Sequence, residues 1–495
     1  MLNWSDNFQR PIMFPKLALA ALALTSAAFA QDTRTVTEPV IPASCVQLPA
    51  MLQSVGNMVD PADEQMLDTA RIQAALDSCK PGQAVELKQQ SGKNAFLTGP
   101  LELRSNVTLL IDKGVTLFGS RDPKVYETHF PDSKPDDPIK CGTSIPRPGQ
   151  FGQEAGMAQA ANLRLGGCRP LIAANNVENA AIMGDGTIDG RGYAKLLGKD
   201  FSWWEMARKA EPKDDIYFST RLLVASHADG LVIYRITLHN SPNFHVSVNQ
   251  TNGFTAWGVH LLTPVDKKLD ARNTDGIDPG TSTNVTIAHS WIDNGDDNVA
   301  IKANVQHISV LDNYFYTGHG MSIGSEATGV AFLLVDGLTE DHTTSGIRIK
   351  SNVTRGGFDH DLTYRNICMR GVQNPIAISP YYTNQSTEGF VDPGYKGTRI
   401  PDYKKIVLEN VVSETPGDVL IAGLDAAHRT EITLNGVYIN GLKPAQVHGH
   451  FADITIGPSA TNIDFSATDM KPMQPAAPSK VLLIPTCAGK FVPMQ

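Results

Sequence analysis

From Pro170 onward, pairs of apolar residues two positions apart recur along the chain. They are Leu222/Val224, Val246/Val248, Val299/Ile301, Met321/Ile323, Ile347/Ile349, Ile376/Ile378 and Val419/Ile421, and Ile277 joins them with Pro279 in place of its partner. A spacing of two marks a strand with one buried face. From 222 to 376 the pairs begin at intervals of 24, 31, 22, 22, 26 and 29 residues. Between them run further strand signatures, such as Val285-Thr286-Ile287, Ile308-Ser309-Val310 and Leu362-Thr363-Tyr364, with no helical pattern. Several short strands per repeat predict an all-β, single-domain parallel β-helix whose coils stack at about 4.8 Å. A β-sandwich would need hairpins, and two-residue Asn-Gly or Asp-Gly turns between alternating strands are few.

Ahead of the repeat, Asp68 to Cys79 has helical periodicity, with Ala70, Ile72, Ala75, Leu76 and Cys79 on one face and Asp68 or Thr69 as N-cap. Pro81-Gly82 stops it. A lone amphipathic helix before the strands predicts a cap over the open end of the stack. Strands follow at Val85–Leu87, Phe96–Leu103, Val107–Ile111 and Val115–Phe118. Residues 120–168, poor in strand signals and rich in Pro, Gly and Asp, read as a long excursion and a candidate groove wall. Tyr381–Asp402 reads as a surface loop. Asn106, Asn284 and Asn352, each in an Asn-x-Ser/Thr triplet, are expected to mark turns.

Composition fits this picture: 495 residues, 42 Gly and 31 Pro suit many strands joined by tight turns. At residues 1–30, Lys16, the apolar run Leu17–Leu24 and Ala28-Phe29-Ala30 form an export signal with a cleavage pattern; Met13 is an alternative start. No later segment is apolar enough to cross a membrane. The expectation is a secreted, extracellular or periplasmic monomer, its β-helix domain spanning 31–495 with a core of about 45–470. Six cysteines in an exported chain predict disulfides rather than metal ligands. Cys45–Cys79 and Cys141–Cys168 are plausible local bridges among 15 connectivities. A formal net charge of −9 excludes general affinity for nucleic acid, and an acidic polymer would need a local basic patch.

Such a patch lies beside the candidate chemistry. Asn273-Thr274-Asp275-Gly276, Gly295-Asp296-Asp297-Asn298 and Gly318-His319-Gly320 are phased so that Asp275, Asp297 and His319 are each 22 residues apart. Each lies two residues before the inward position of its strand. Alternation then places Asp278, Arg348, Lys302 and Lys350 on the same outward face, with Asp296 beside Asp297. Two carboxylates one coil apart repel by about 3 kcal/mol at an effective dielectric of 20. That raises one of their pKa values by about two. One acid then holds a proton near neutrality while another stays ionised, the division of labour glycoside hydrolysis needs. Cations beside them suit a sugar that carries its own carboxylate.

Blander accounts compete. An Asp beside Gly is commonly a turn residue. Clustered carboxylates also bind Ca²⁺, though no EF-hand-type loop is present and adjacent cations oppose it. A polar column can be the solvated outside of a coil. Trp203-Trp204 either stacks on sugar or packs locally. His227, His239, His245, His260, His289 and His307 read as structural.

The three motifs, followed by Arg348-Ile349-Lys350, resemble family 28 glycoside hydrolases, and within them the bacterial polygalacturonases. Ser241-Pro242-Asn243-Phe244-His245 and Asn374-Pro375-Ile376, leading to Tyr382, extend the likeness over about residues 45–440. The resemblance implies a right-handed parallel β-helix of pectin-lyase-like form. It implies hydrolysis of α-1,4 bonds in polygalacturonate or pectin with inversion, in endo fashion, without cofactor or metal. On matching positions Asp296 is the general acid, Asp275 and Asp297 position and activate water, and His319 supports the site. Arg348, Lys350 and Tyr382 hold the galacturonate ring, with Asn273 and Lys302 as further substrate-binding candidates. Adjacent-coil spacing by itself leans towards the closer carboxyls of retaining enzymes. The alternatives are an exo-acting polygalacturonase, a rhamnogalacturonan hydrolase, a Ca²⁺-dependent pectate lyase and a non-catalytic polysaccharide-binding β-helix.

Overall fold

The computed structural model describes residues 31–128, 140–146, 167–213, 215–382, 397–459, 461–474 and 486–494. The chain winds as a right-handed parallel β-helix. One face is an 11-stranded parallel sheet that takes one strand from each coil, from Leu101–Glu102 to Val447–His450. The remaining walls merge into a 21-stranded sheet. Along the 11-stranded sheet, Val246, Ile277, Val299, Met321, Ile347, Ile376, Val419 and Val447 pair in register, one per coil. All eight are buried. Each such side chain contributes about 1.5–3 kcal/mol of burial. The stack of aliphatic residues is therefore what selects this register, since a slip of one residue would turn every one of them to the outside.

The expected pairing fails in one coil. Leu223 and Ala225, not Leu222 and Val224, pair with Val246 and Val248. Leu222 is also buried, and Val224 points outward and is half-buried. Two consecutive leucines left the phase ambiguous by one residue.

The helix Thr69–Ser78 packs on the first coils through Ile72, Ala75 and Leu76, capping the stack as expected. Ala70, placed on its buried face from the sequence, is exposed. Asp68 is the N-cap, as one of the two candidates, but its carboxylate makes no capping hydrogen bond and accepts from the Leu97 N–H and from Arg71. Both expected bridges are present, Cys45–Cys79 tying the helix end to the strand Ser44–Pro49 and Cys141–Cys168 closing the foot of the excursion. The third bridge, Cys368–Cys487, pins the C-terminal segment to the coil. Asn106 takes positive φ in a turn as expected, whereas Asn284 takes positive φ within the strand Thr283–Ala288. The signal segment lies outside the described residues, as do most of the 120–168 excursion and residues 383–396 of the predicted surface loop.

Trp203 and Trp204 open a helix, Trp203–Ala210, that the sequence reading did not anticipate. Ser202 and Glu205 form a reciprocal capping box at its start. Both tryptophans are fully buried, Trp203 edge-on to Tyr126 and Trp204 donating its Nε1–H to the Ser241 carbonyl at 2.9 Å. They pack the protein and are not available to a sugar.

Candidate active site

The three motifs fall on consecutive coils, at the turns that feed the strands Ile277–Gly280, Val299–Ile301 and Met321–Gly324. Buried asparagines fix these turns. Asn294 donates to the carbonyls of Thr274 and Asp297, both at 2.8 Å, and Asn298 donates to those of Ile292 and Thr317 and accepts from the Gly320 N–H. Gly295 and Gly320 are required for space: a Cβ would come within 2.0 Å of the Ala271 carbonyl oxygen and 1.9 Å of that of Ser345, respectively.

The result is a cleft of about 680 Å³ over the sheet, lined by Asn273, Asp275, Asp296, Lys302, His319, Arg348, Lys350 and Tyr382 among others. Eight of the nine candidate residues therefore share one wall-to-wall space. The ninth, Asp297, lies in the floor with no exposed surface. The column is thus a buried cleft floor rather than a solvated face: Asp275, Asp278, Arg348 and Lys350 are all buried.

Charges in the floor are paired unevenly. Asp297 accepts from Lys350 Nζ at 2.6 Å, Arg348 Nη1 at 3.0 Å and Ser322 Oγ at 2.8 Å. Burial alone would push its carboxyl up, but Lys350 and then Arg348 outweigh burial and hold it far below the usual carboxylate range. Asp296 keeps His319 Nδ1 3.1 Å from its Oδ1, and the His319 backbone N–H donates to the Asp296 carbonyl. Burial raises the Asp296 carboxyl as well, and the hydrogen bond and charge of His319 bring it below its ordinary value. A line of donors supports it from behind: Asn243 to Tyr217, the Tyr217 hydroxyl to Asn273 Oδ1 at 2.8 Å, and Asn273 Nδ2 to Asp296 Oδ2 at 3.5 Å.

Asp275 and Asp278 share what cation is left. Lys302 Nζ stands 3.7 Å from Asp275 and 4.0 Å from Asp278. Burial, then the charges of Asp296 and Asp278, raise the Asp275 carboxyl well above its ordinary value. Burial pushes Asp278 up to about 7 against the pull of Lys302. The sequence reading expected one acid to be raised by its neighbours, and the carboxyls so raised are Asp275 and Asp278 rather than Asp296. The difference arises because Asp296 has His319 against it, while Asp275 and Asp278 do not. Beneath Asp275, neutral His245 bridges its carbonyl and Thr263 Oγ1, and burial lowers the imidazole to about 4. That is the structural role assigned to His245 from sequence.

Among the described residues, ligand atoms of Asp296, Asp297 and His319 come within 4.8 Å of one another. Asp297 has both oxygens on cations, so the trio is a poor cage for a further one. Arg348 and Lys350 each lie over the Tyr382 ring, at 5.9 and 5.5 Å, and buried Arg348 Nε has no hydrogen-bond partner. Sequence reasoning missed Tyr217, Glu211, Arg272, Phe244, Glu326 and Arg355 around the cleft. Of these Phe244 carried a signal, lying two residues before the inward Val246.

The family pattern of the glycosyl hydrolases family 28 matches residues 136–452. An endo-polygalacturonase of Pectobacterium carotovorum subsp. carotovorum is 39% identical over 427 residues, covering 85% of this chain and 93% of that protein. A polygalacturonase of Ralstonia solanacearum is 35% identical over 90% of this chain and 88% of its own length. The polygalacturonase structure from Erwinia carotovora ssp. carotovora superposes with a TM-score of 0.70 at 37% identity, covering 86% of this chain and all of that one. An exopolygalacturonase structure from Thermotoga maritima shares the fold, with a TM-score of 0.62 at 20% identity. With both the match over most of its coils and the relatives along nearly its whole length, the chain belongs to family 28 of the glycosyl hydrolases.

Proposed function

We propose that this glycoside hydrolase cleaves α-1,4-galacturonosidic bonds within polygalacturonate or pectin, with inversion. The observation that carries the reading is a cleft floor in which Lys302, Arg348 and Lys350 sit among four carboxylates, matching an acidic sugar to an acid–base site. Asp296 and His319 share a hydrogen bond and together carry the proton that Asp296 gives to the departing glycosidic oxygen. Asp275 and Asp297 orient the water that attacks the anomeric carbon, and Asp275 takes its proton. Asp297, held ionised by two cations, keeps its negative charge throughout, which favours the oxocarbenium-like transition state. Arg348, Lys350, Lys302, Asn273 and Tyr382 hold the ring at the cleavage point. Arg348 pairs with Asp297 through Nη1 and Lys350 through its ammonium, so each keeps further N–H donors.

The raised carboxyl of Asp275 gives the activity its pH dependence. Turnover rises as Asp275 loses its proton, which forms the acid limb of the profile. Three disulfides suit an oxidising compartment, and no described helix is long and apolar enough to cross a membrane. We therefore read the chain as an exported monomer acting as one catalytic unit over 31–495. The test is digestion of polygalacturonate, following viscosity, reducing ends and ultraviolet absorbance together. Endo hydrolysis drops viscosity early and makes saturated ends. Monomer release alone would rule out endo action, and unsaturated ends abolished by chelator would establish a lyase.

A further inference from the structure

The column that presents Asp275, Asp297 and His319 continues two coils towards the N-terminus. Phe244 stands two residues before Val246, and Arg221 two residues before Leu223, in the same register. Phe244 lines the cleft, and the Arg221 guanidinium rests 4.7 Å from the centre of its ring. Among the described residues Arg221 has no ion pair, and its guanidinium donates no hydrogen bond.

Arg221 is half-buried, and the five N–H donors of its fork have no acceptor among the described residues. Burial lowers the Arg221 value, opposed at longer range by Asp278, Asp275 and Tyr217. Phe244 sits against the guanidinium without consuming any of its N–H donors, which in pairs match a carboxylate through two parallel hydrogen bonds. Two coils are about 10 Å at the strand spacing, so Arg221 stands along the column from the cleaving acids, next to cleft-lining Phe244.

We propose that Arg221, stacked on Phe244, binds the carboxylate of a galacturonate residue lying two coils before the cleavage point, and so sets the length of substrate the cleft recognises. The inference rests on polygalacturonate being the substrate. Asp278 and Asp275 hold the guanidinium in position without neutralising it at contact distance, and the substrate carboxylate completes the pair. Arg221 is a binding group remote from the reacting atoms, so its loss weakens binding and spares the chemical step.

The experiment is steady-state kinetics of wild type, Arg221→Gln and Arg221→Lys on polygalacturonate and on a ladder of short oligogalacturonates. For chains long enough to reach Arg221, Arg221→Gln raises KM at least tenfold and leaves kcat within twofold. Arg221→Lys, which keeps the charge and loses the fork, falls between. For oligomers too short to reach, KM is that of wild type. Melting of unliganded Arg221→Gln is no lower than wild type, since an unpartnered charge has been removed. An unchanged KM in both variants on every length overturns the inference alone, as does a variant that unfolds or melts several degrees lower, which would make Arg221 structural. A wild type inert on polygalacturonate overturns this inference and the substrate reading together.

Discussion

Lys350 places its ammonium 2.6 Å from Asp297 Oδ2, and neither residue is more than 8% exposed at its side chain. This contact, with Arg348 on the other oxygen, makes Asp297 an acid that does not titrate in the working range. Removing it would leave two buried cations uncompensated. Breaking a buried pair from one side typically costs about 3–5 kcal/mol. Asp297→Ala is therefore expected to melt well below wild type as well as to lose activity. Ser322→Ala, which removes one hydrogen bond to the same carboxylate, is expected to cost about 1 kcal/mol. Thermal denaturation of the two variants side by side checks the contrast.

A second buried acid lies in the interior of the coil. Glu340 sits between Phe315 and Met369 on the inward column, fully buried and with no cation beside it. Burial, opposed only weakly by the Met321 backbone, raises its carboxyl from 4.5 to about 8. The folded protein thus binds this proton more tightly than the unfolded chain does. The stability it confers is complete below about pH 4.5 and is lost as pH rises through 8. Glu340→Met is expected to melt with wild type at pH 4 and above it at pH 8, by roughly 3 °C or more. Melting curves across that range decide it.

The third bridge spans 119 residues of sequence and holds the segment that carries Phe491, whose ring lies 4.4 Å from the Arg370 guanidinium. Long closed loops are those a disulfide restrains most. Cys368→Ser with Cys487→Ser is expected to lose about 2–5 kcal/mol of stability while leaving kcat unchanged, because the bridge lies outside the cleft. Denaturant melts and turnover, measured together, test both halves.

Stereochemistry supplies a fourth expectation. Asp296 and Asp297 have oxygens within 4.8 Å of each other, closer than carboxyls that face each other across a sugar in inverting enzymes. In this cleft Asp297 is held by Lys350 and Arg348, which suits the proposed role of serving the water rather than forming a glycosyl bond. Proton NMR of the first-formed product is expected to show the β-anomer, and the α-anomer first would establish retention.

Much of this architecture was legible because a strand has a period of two and the central coils are of equal length. Asp275, Asp297 and His319 could be stacked from spacing alone, and their strands pair as that spacing required. Arg221 was hidden for the same physical reason. Upstream the coils lengthen, Leu222 and Leu223 are both apolar, and choosing the wrong leucine shifted Arg221 off the column. Tyr217 was beyond reach, since it meets Asn273 only because Ile216–Phe218 pairs antiparallel with Thr143–Ile145, far away in sequence. The charge balance was half legible: repulsion between acids was foreseen, but its outcome depended on which acid received His319.

The central claim is that Asp296 delivers the proton to the leaving oxygen from its place beside His319. The most direct measurement is kcat and KM of Asp296→Asn on polygalacturonate, with folding verified by an unchanged melting curve. The account predicts a loss of about 10²–10⁴ in kcat with KM little altered. Turnover close to that of wild type would contradict it.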